Sequence, residues 1–197
     1  MNHAAWRLLT ADQAAFIVAF FYRAFIAGKR RGIEAQELLE HLNLLDENER
    51  IEAKSATEIG KSLLETVCAF ANEPGLGGGW LLLGVAREEV ALFPGYEVQG
   101  LEQPDQLSAN LASQATSMFN RPLRLDIRTE SIHGKAVIVV FVPEAAAQDK
   151  PLYFKAQGLP RGAFRRIGST DQRCTEDDLI ALYQNRQQES FDAGLVP

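Results

Sequence analysis

The most informative part of this chain is Arg50–Val85, which reads RIEAKSATEIGKSLLETVCAFANEPGLGGGWLLLGV. The short segment Arg50–Lys54 predicts a strand, and Glu58–Asn72 places apolar residues at helical spacing. After a glycine-rich turn, the continuous apolar run Trp80–Val85 is typical of a strand buried on both faces. This part of the chain therefore predicts a strand, then a helix with Thr57 as its N-cap, then a second strand.

The segments that follow extend this pattern. Apolar runs and alternation predict five further strands, and two periodic segments predict helices. The strands are expected at Tyr96–Leu101, Leu123–Ile132, Ala136–Val142, Tyr153–Ala156 and Ala163–Ile167. The helices are expected at Leu107–Phe119 and Thr175–Gln187. The turn His133-Gly134 marks the clearest hairpin. The mixture of strands and helices indicates a single α/β or α+β domain built on a mixed sheet.

The segments before and after this domain differ in character. From Asp12 to Leu45 the sequence has helical periodicity with a break at Gly28–Gly32, whose glycines and basic residues suit a turn. This predicts an N-terminal helical hairpin at 1–42, followed by the main domain at 43–187. The polar residues at 188–197 predict a tail or the start of a linker.

The most apolar segment of the chain is Ala14–Ala27. It has only 14 residues and is interrupted by Arg23, whereas a membrane-spanning helix needs roughly 20. We therefore expect no membrane segment. The run predicts a helix that is buried or that joins two copies of the chain in a homodimer.

Composition restricts the class of protein. The chain has 197 residues, of which 46% are hydrophobic, enough for one good core and too many for a disordered or collagen-like chain. The net charge of -6 means that the molecule as a whole does not attract polyanions, so any nucleic-acid role must rest on a local patch. Cys68 and Cys174 match no metal-binding spacing, and we expect free thiols in a reducing, cytoplasmic compartment.

A basic segment near the carboxyl end offers such a patch. The stretch 161–173, RGAFRRIGSTDQR, carries four arginines and one aspartate, a net charge of +3 over 13 residues. Fixed positive charge, the hydroxyl groups of Ser169 and Thr170, and Gly168 for close approach are features that phosphate binding needs. The alternative is that these arginines are solvated, or paired with the acidic region 46–100.

Two glycine motifs suggest nucleotide binding at first sight. Ser55–Ser62, SATEIGKS, nearly matches the phosphate-binding loop G-x-x-x-x-G-K-S, but Ser55 replaces the first glycine. We also expect Gly60-Lys61 to fall inside the first turn of the helix, where the lysine is solvated. Pro74–Gly79, PGLGGG, leaves a helix and enters a strand, the reverse of a dinucleotide-binding turn. Its glycines are more simply a helix C-cap and a tight turn.

Acidic residues surround the first predicted strand. Glu47 and Glu52 could share a divalent ion if the chain turned between them, but a phosphodiester-cleaving centre usually needs a third ligand. The histidines are isolated, and no nucleophile elbow appears. We therefore expect no catalytic residues, no metal and no cofactor.

Four segments together resemble a known family. They are Glu49–Ser55 (ERIEAKS), Val67–Gly75 (VCAFANEPG), Gly78–Val85 (GGWLLLGV) and Arg165–Thr170 (RRIGST). Their order and spacing are similar to those of the Schlafen-type Alba-like (AlbA-2) DNA-binding domain. The resemblance implies a module of a bacterial transcriptional regulator or ATP-binding protein, in which a linker and a winged-helix domain often follow.

The same resemblance implies a second interpretation. Some Schlafen proteins are metal-dependent ribonucleases that use two glutamates five residues apart and an acid just after the Gly-Val pair. Glu47 and Glu52 align with the two glutamates, whereas Ala86-Arg87 stands where the third acid is expected. Glu88 comes slightly too late but could replace it. A ribonuclease and a divergent ATP-binding protein using Lys61 therefore stay open as alternatives.

The sequence thus predicts a cytoplasmic module that binds nucleic acid, in the first place DNA. The residues expected to hold the phosphate backbone are Lys54, Arg161, Arg165, Arg166, Ser169, Thr170 and Arg173. The prediction requires that the guanidinium groups stand together and are not neutralised by carboxylates of the protein itself.

Overall fold

The computed structural model describes three parts of the chain, residues 32–55, 59–88 and 95–193, the last with side chains to residue 186. The chain divides into two units, Met1–Ile33 and Glu34–Pro197, and the helices and strands of the described residues all lie in the second. The predicted dimerisation helix Ala14–Ala27 lies outside the described residues. The predicted domain limits stay predictions.

The described residues form four helices and eight strands. The helices are α1 (Ala35–Leu45), α2 (Lys61–Asn72), α3 (Pro104–Ser117) and α4 (Glu176–Ala193), with a short 3-10 helix at Ala147–Asp149. The strands are β1 (Ile51–Lys54), β2 (Gly78–Leu83), β3 (Val85–Arg87), β4 (Tyr96–Val98), β5 (Asp126–Ile132), β6 (Lys135–Pro143), β7 (Phe164–Ile167) and β8 (Thr170–Arg173).

Four strands form the central mixed sheet in the order β1-β2-β6-β5. β1 and β2 are parallel, with Ile51 opposite Trp80, and α2 connects them as parallel neighbours require. β5 and β6 form the predicted hairpin. Its turn residues His133 and Gly134 have φ angles of 51° and 78°, typical of a type I′ turn. The predicted mixed α/β fold class is confirmed.

The core lies on both faces of β2, as its continuous apolar sequence predicts. Helices α2 and α3 cover one face, where Phe70 and Leu111 join Leu81 and Val140 in one apolar cluster. α1 contacts all four strands and covers the other face. All six residues of β2 are buried, as expected of a strand that is covered on both faces.

Several elements begin or pair differently from the prediction. α2 begins at Lys61 with Gly60 as its N-cap, later than the sequence predicts. The predicted cap Thr57 lies outside the described residues. Glycine has low helix propensity, and Gly60 has extended dihedral angles, so the helix starts only after it. The predicted strand Trp80–Val85 breaks at Gly84, whose φ is 88°.

The break at Gly84 divides the predicted strand into β2 and β3, which have different partners. β4 pairs with β3 after the break, and the antiparallel partner of β2 is β6. Of the predicted strand Tyr153–Ala156, only single bridges of Tyr153 and Phe154 are formed. β8 was not predicted, because its sequence TDQR has no apolar alternation. α4 continues to Ala193, past its predicted end.

Candidate nucleic-acid interface

The β7–β8 hairpin carries most of the predicted binding residues. Its strands join through Gly168-Ser169, and the φ of 59° at Gly168 suits the first central position of a type II′ turn. Ser169 and Thr170 are exposed at this turn. A glycine turn with two exposed hydroxyl groups is open to close approach by a phosphate.

The hairpin packs along α2, with its open end near the C-terminal end of the helix. At its open end, the Asn72 side-chain amide donates to the Phe164 carbonyl at 2.8 Å. Nearer the turn, the Thr66 hydroxyl donates to Asp171 Oδ2 at 2.5 Å. Since Asn72 ends α2 and Thr66 lies more than one helical turn before it, the hairpin turn lies toward the N-terminal end of α2.

Arg166 is buried and paired inside the fold. Its side chain is 0% exposed, and its guanidinium pairs with Glu52 and, at 2.8 Å, with Asp171. It donates to the Asn48 carbonyl at 2.9 Å and lies 5.0 Å from the centre of the Phe70 ring. The expectation that this guanidinium is unpaired is wrong, because it forms ion pairs with two carboxylates of the protein itself, one of them buried.

Arg165 lies on the opposite face of β7 and is also neutralised. It bonds Glu73 at 2.8 Å and Asp178 at 2.5 Å, and its side chain is 30% exposed. Hydrogen bonding to Glu73 raises the pKa of Arg165 and outweighs the desolvation that lowers it. Asp178 is held in place because it accepts the N–H of Thr175 at 2.8 Å at the start of α4. The expectation of an unpaired group is wrong here too.

Lys54 at the end of β1 belongs to the same ionic cluster as Arg166. Its ammonium pairs with Glu52 and donates to Ser62 Oγ at 3.1 Å. The side chain is 27% exposed. We call Glu52, Lys54, Arg166 and Asp171 the Glu52 cluster. It joins β1 to the β7–β8 hairpin, and Lys54, too, is not the free cation that was expected.

The remaining predicted residues are exposed. Within the described residues, Arg161 and Arg173 form no ion pair with the protein's own acids. The Arg173 guanidinium lies 5.9 Å from the centre of the Phe164 ring. Of the seven predicted residues, Arg161, Ser169, Thr170 and Arg173 are therefore open to a ligand, and Lys54, Arg165 and Arg166 have structural partners.

The acids of the proposed nuclease centre are engaged elsewhere. Burial raises the pKa of Glu47, which accepts the Ala53 N–H at 3.1 Å. Glu52 is 5% exposed and is bound by two cations. Arg87, at the position of the third acid, pairs with Asp46 at 2.8 Å. In the described parts of the chain, no group of three or more His, Cys, Asp or Glu side chains could hold a metal ion.

The Gly60-Lys61-Ser62 motif lies at the start of α2. Lys61 falls in the first turn of the helix, as the sequence predicts, whereas Gly60 lies just before it as the N-cap. Lys61 is 61% exposed and pairs with Glu65 at 3.3 Å, one helical turn along. Ser62 accepts the hydrogen bond from Lys54. These contacts are typical of a solvated helix face.

The glycine-rich turn 74–79 holds a carboxylate of the protein itself. The N–H groups of Gly75 and Gly77 donate to the two oxygens of Glu144 at 3.0 and 2.6 Å. Lys150, whose side chain is 4% exposed, donates to Glu144 at 2.6 Å. Backbone N–H groups that converge on an anion form a nest. This nest is filled from inside, so the glycines build a turn, as the sequence predicts.

The pairing of Arg165 with Glu73 and of Arg166 with Glu52 agrees with the alternative left open by the sequence, in which the arginines pair with the acidic region 46–100. Sequence reasoning did not identify the individual acids. Glu73 is 92 residues from Arg165, and Glu52 is 114 residues from Arg166. Two acids lie close in sequence to the arginines they bind: Asp171 is inside the basic segment, five residues from Arg166, and Asp178 forms a capping box with Thr175 at the start of α4. Sequence reasoning also missed exposed basic residues near the end of α3, which no single run of sequence brings together.

Comparison with known proteins identifies similar sequences and structures. A family model described as Schlafen, AlbA_2 matches residues 47–175. A second model, a protein family of unknown function (DUF3375), matches residues 1–65. No curated protein matches the chain. Among the described residues, no helix has both the length and the apolar character that a membrane crossing requires.

Two solved structures are similar. One is the N-terminal domain of a RecG-related protein from Nitrosomonas europaea, whose name relates it to an ATP-dependent DNA helicase. It is 52% identical, with a TM-score of 0.61, and the match covers 73% of this chain and 95% of that one. The other is the DIP2311 protein from Corynebacterium diphtheriae, at 18% identity and a TM-score of 0.44, covering 88% of this chain and 29% of that one.

Proposed function

Because the chain belongs to the Schlafen AlbA_2 family, we propose that it is a nucleic-acid-binding module that holds the phosphate backbone of DNA. Membership of this family supports nucleic acid as the class of partner. The name of the protein from which the 52% identical domain comes favours DNA as the first ligand to test. The net charge of -6 requires that contact be confined to a local patch.

The observation that carries the proposal is the exposure of four residues in and beside the β7–β8 hairpin. Ser169 and Thr170 offer hydroxyl donors at the turn, and Arg173 and Arg161 offer fixed charge. Thr170 and Arg173 are three residues apart on β8, about 10 Å. Contacts of this kind hold a phosphate backbone in position and carry no sequence readout of their own.

The paired residues have a supporting part in this proposal. Arg166 and Lys54 fix the hairpin to β1 and α2 through the Glu52 cluster. Arg165 fixes the same hairpin to the C-terminal end of α2 and to α4. Ion pairs on both faces of β7 thus hold the hairpin whose turn presents Ser169 and Thr170.

A salt titration of duplex DNA binding tests the proposal. Log affinity should fall linearly with log salt, by roughly 0.9 per phosphate neutralised, and the double variant Arg161→Gln/Arg173→Gln should lower that slope by about 2. Arg186→Gln removes one exposed charge from α4 and is the control for altered net charge. No binding by the native protein at low salt, or an unchanged slope in the double variant, would contradict the proposal.

The wider role follows the family resemblance. We propose that the module works in a bacterial transcriptional regulator in the cytoplasm, where Cys68 and Cys174 persist as the free, buried thiols of the structure. Homodimerisation through Ala14–Ala27 belongs to the same proposal and rests on the sequence. Sedimentation of the full chain beside a chain that begins at Gly32 tests it, and equal masses would contradict it.

A further inference from the structure

Three exposed basic residues lie around the C-terminal end of α3. They are Arg121, Arg124 and Lys155, which we call the α3-end surface. Their two segments, 117–124 and 153–163, also contain Arg161 and have no acidic side chain. The chain as a whole has more acidic than basic residues, so this is a local concentration of positive charge.

Backbone hydrogen bonds bring these segments side by side. The Lys155 N–H donates to the Met118 carbonyl at 3.0 Å, and the Asn120 N–H donates to the Tyr153 carbonyl at 2.9 Å. The Phe154 N–H donates to the Gly162 carbonyl at 3.0 Å, which places the Arg161 segment next to that of Lys155. Residues separated by more than thirty positions in the chain thus lie on three adjacent backbone segments.

The cations of this surface are only weakly neutralised, unlike Arg165 and Arg166. Arg121 approaches Asp149 at 3.6 Å, with both side chains exposed, 57% and 42%. Such a surface pair contributes little and is readily exchanged for another anion. Lys155 donates to the Ser117 carbonyl at 3.2 Å, which uses one of its three donors. Within the described residues, Arg124 forms no ion pair.

We infer that the α3-end surface is a second contact for the phosphate backbone of the nucleic acid held by the β7–β8 hairpin. The inference rests on the proposed function for the class of ligand. The three cations of the surface are enough to neutralise about three phosphates, one each. Arg161 borders the surface and is also among the residues proposed above for the hairpin contact. A positively charged residue therefore lies between the two proposed contacts.

The test measures the salt dependence of duplex DNA binding by the full chain. In the triple variant Arg121→Gln/Arg124→Gln/Lys155→Gln, the slope should fall by about 2 to 3, because about three phosphates lose their counter-charge. Gln at position 155 keeps a donor for the Ser117 carbonyl. The charge-conserving variant Arg121→Lys/Arg124→Lys/Lys155→Arg should keep the native slope. If the triple variant does not fold, Arg121→Gln/Arg124→Gln should still lower the slope by about 2.

The outcomes separate this inference from the proposed function. No binding by the native protein at low salt overturns both. Native binding with an unchanged slope in the triple variant overturns the α3-end surface alone. A lower slope in the triple variant, together with a native slope in Arg161→Gln/Arg173→Gln, supports this surface and overturns the hairpin contact. Competition by poly-glutamate as strong as that by duplex DNA would assign the surface to an acidic protein and overturn the inference.

Discussion

Arg165 and Arg166 are adjacent in sequence but lie in two different environments. Successive side chains of a strand point to opposite faces, so one arginine of β7 must face α2 and the core, and the other must face away. Arg166 takes the inner position and is enclosed by Glu52 and Asp171. Arg165 takes the outer one and bridges Glu73 and Asp178. Both guanidinium groups therefore stabilise the hairpin.

Replacement of Arg166 should strongly destabilise the protein. Arg166→Met removes the ion-pair partner of Asp171 and leaves the buried Glu52 with Lys54 as its one counter-charge in this cluster, and we expect a loss of about 3–5 kcal/mol in the free energy of unfolding. Urea denaturation measures it. Arg173→Met, at an exposed position of the adjacent strand β8, is the matched control, with an expected change within about 0.5 kcal/mol. Equal stability of the two variants would show that the Glu52 cluster does not stabilise the fold.

Glu144 should make the free energy of unfolding depend on pH in the acidic range. Burial alone would raise its pKa, but hydrogen bonds from Lys150 and from the N–H groups of Gly77 and Gly75 lower it below the ordinary value. A carboxylate with a lowered pKa in the folded state contributes stability above its unfolded pKa, and this is lost as the pH falls through the folded value.

The difference in unfolding free energy between the native protein and Glu144→Gln should therefore be largest above about pH 5 and shrink as the pH falls below about 4. Urea denaturation across this range measures it. Glu97→Gln, the same change at an exposed position of β4, controls for the loss of one charge. A difference that grows on acidification would contradict the nest.

Among the packed elements, β2 lies so close to α2 and β6 that its first two positions, Gly78 and Gly79, have no room for a side chain. A Cβ atom at Gly79 would lie 2.4–2.5 Å from ring atoms of Phe70, and one at Gly78 would lie 2.2 Å from the Val142 carbonyl oxygen. Phe70 is fully buried and cannot move aside. The glycines at the start of β2 therefore allow helix and sheet to approach closely.

Gly79→Ala should destabilise the protein by about 1–3 kcal/mol, the usual cost of overpacking a core. Thermal or urea unfolding measures this loss. Gly60→Ala is the control, because a Cβ there meets no atom within 4 Å, and its cost should stay below about 1 kcal/mol. If the control proves as costly as Gly79→Ala, backbone freedom and not the contact with Phe70 explains the glycine.

Across the molecule, Asn72 joins three segments that are distant in sequence. Its amide nitrogen donates to the carbonyls of Leu152 and Phe164, both at 2.8 Å, and its carbonyl accepts the Leu152 N–H at 2.7 Å. Asn72 ends α2, Leu152 lies in the connection after β6, and Phe164 begins β7. One buried side chain thus fixes the hairpin to α2 and to the connection that follows β6.

Asn72→Ala should cost about 1–3 kcal/mol for each buried backbone group that is left without a partner, of which the Leu152 N–H is the first. Urea denaturation measures the loss. Asn110→Ala, at an exposed position of α3, is the matched control and should change stability little. A native-like Asn72→Ala would mean that other contacts are enough to fix these segments.

Most elements and the family could be predicted from the sequence alone. Periodicity and turn residues predicted α2 to its last residue Asn72, the fully buried β2 and the hairpin at His133-Gly134, since these depend on short-range propensity and on burial. Four short motifs were enough to identify the Schlafen AlbA_2 family. The boundaries failed where glycine intervened, at Gly60 and Gly84, because one residue there redirects the backbone.

Which charges are free could be learned only from the folded chain. A guanidinium group that looks available in the sequence is neutralised when the fold brings up a carboxylate from 92 or 114 positions away, as for Arg165 and Arg166. Conversely, Arg121 and Lys155 come together only because backbone hydrogen bonds align their segments. Local propensity acts over a few residues, whereas electrostatic neutralisation depends on distance in space, which folding alone defines.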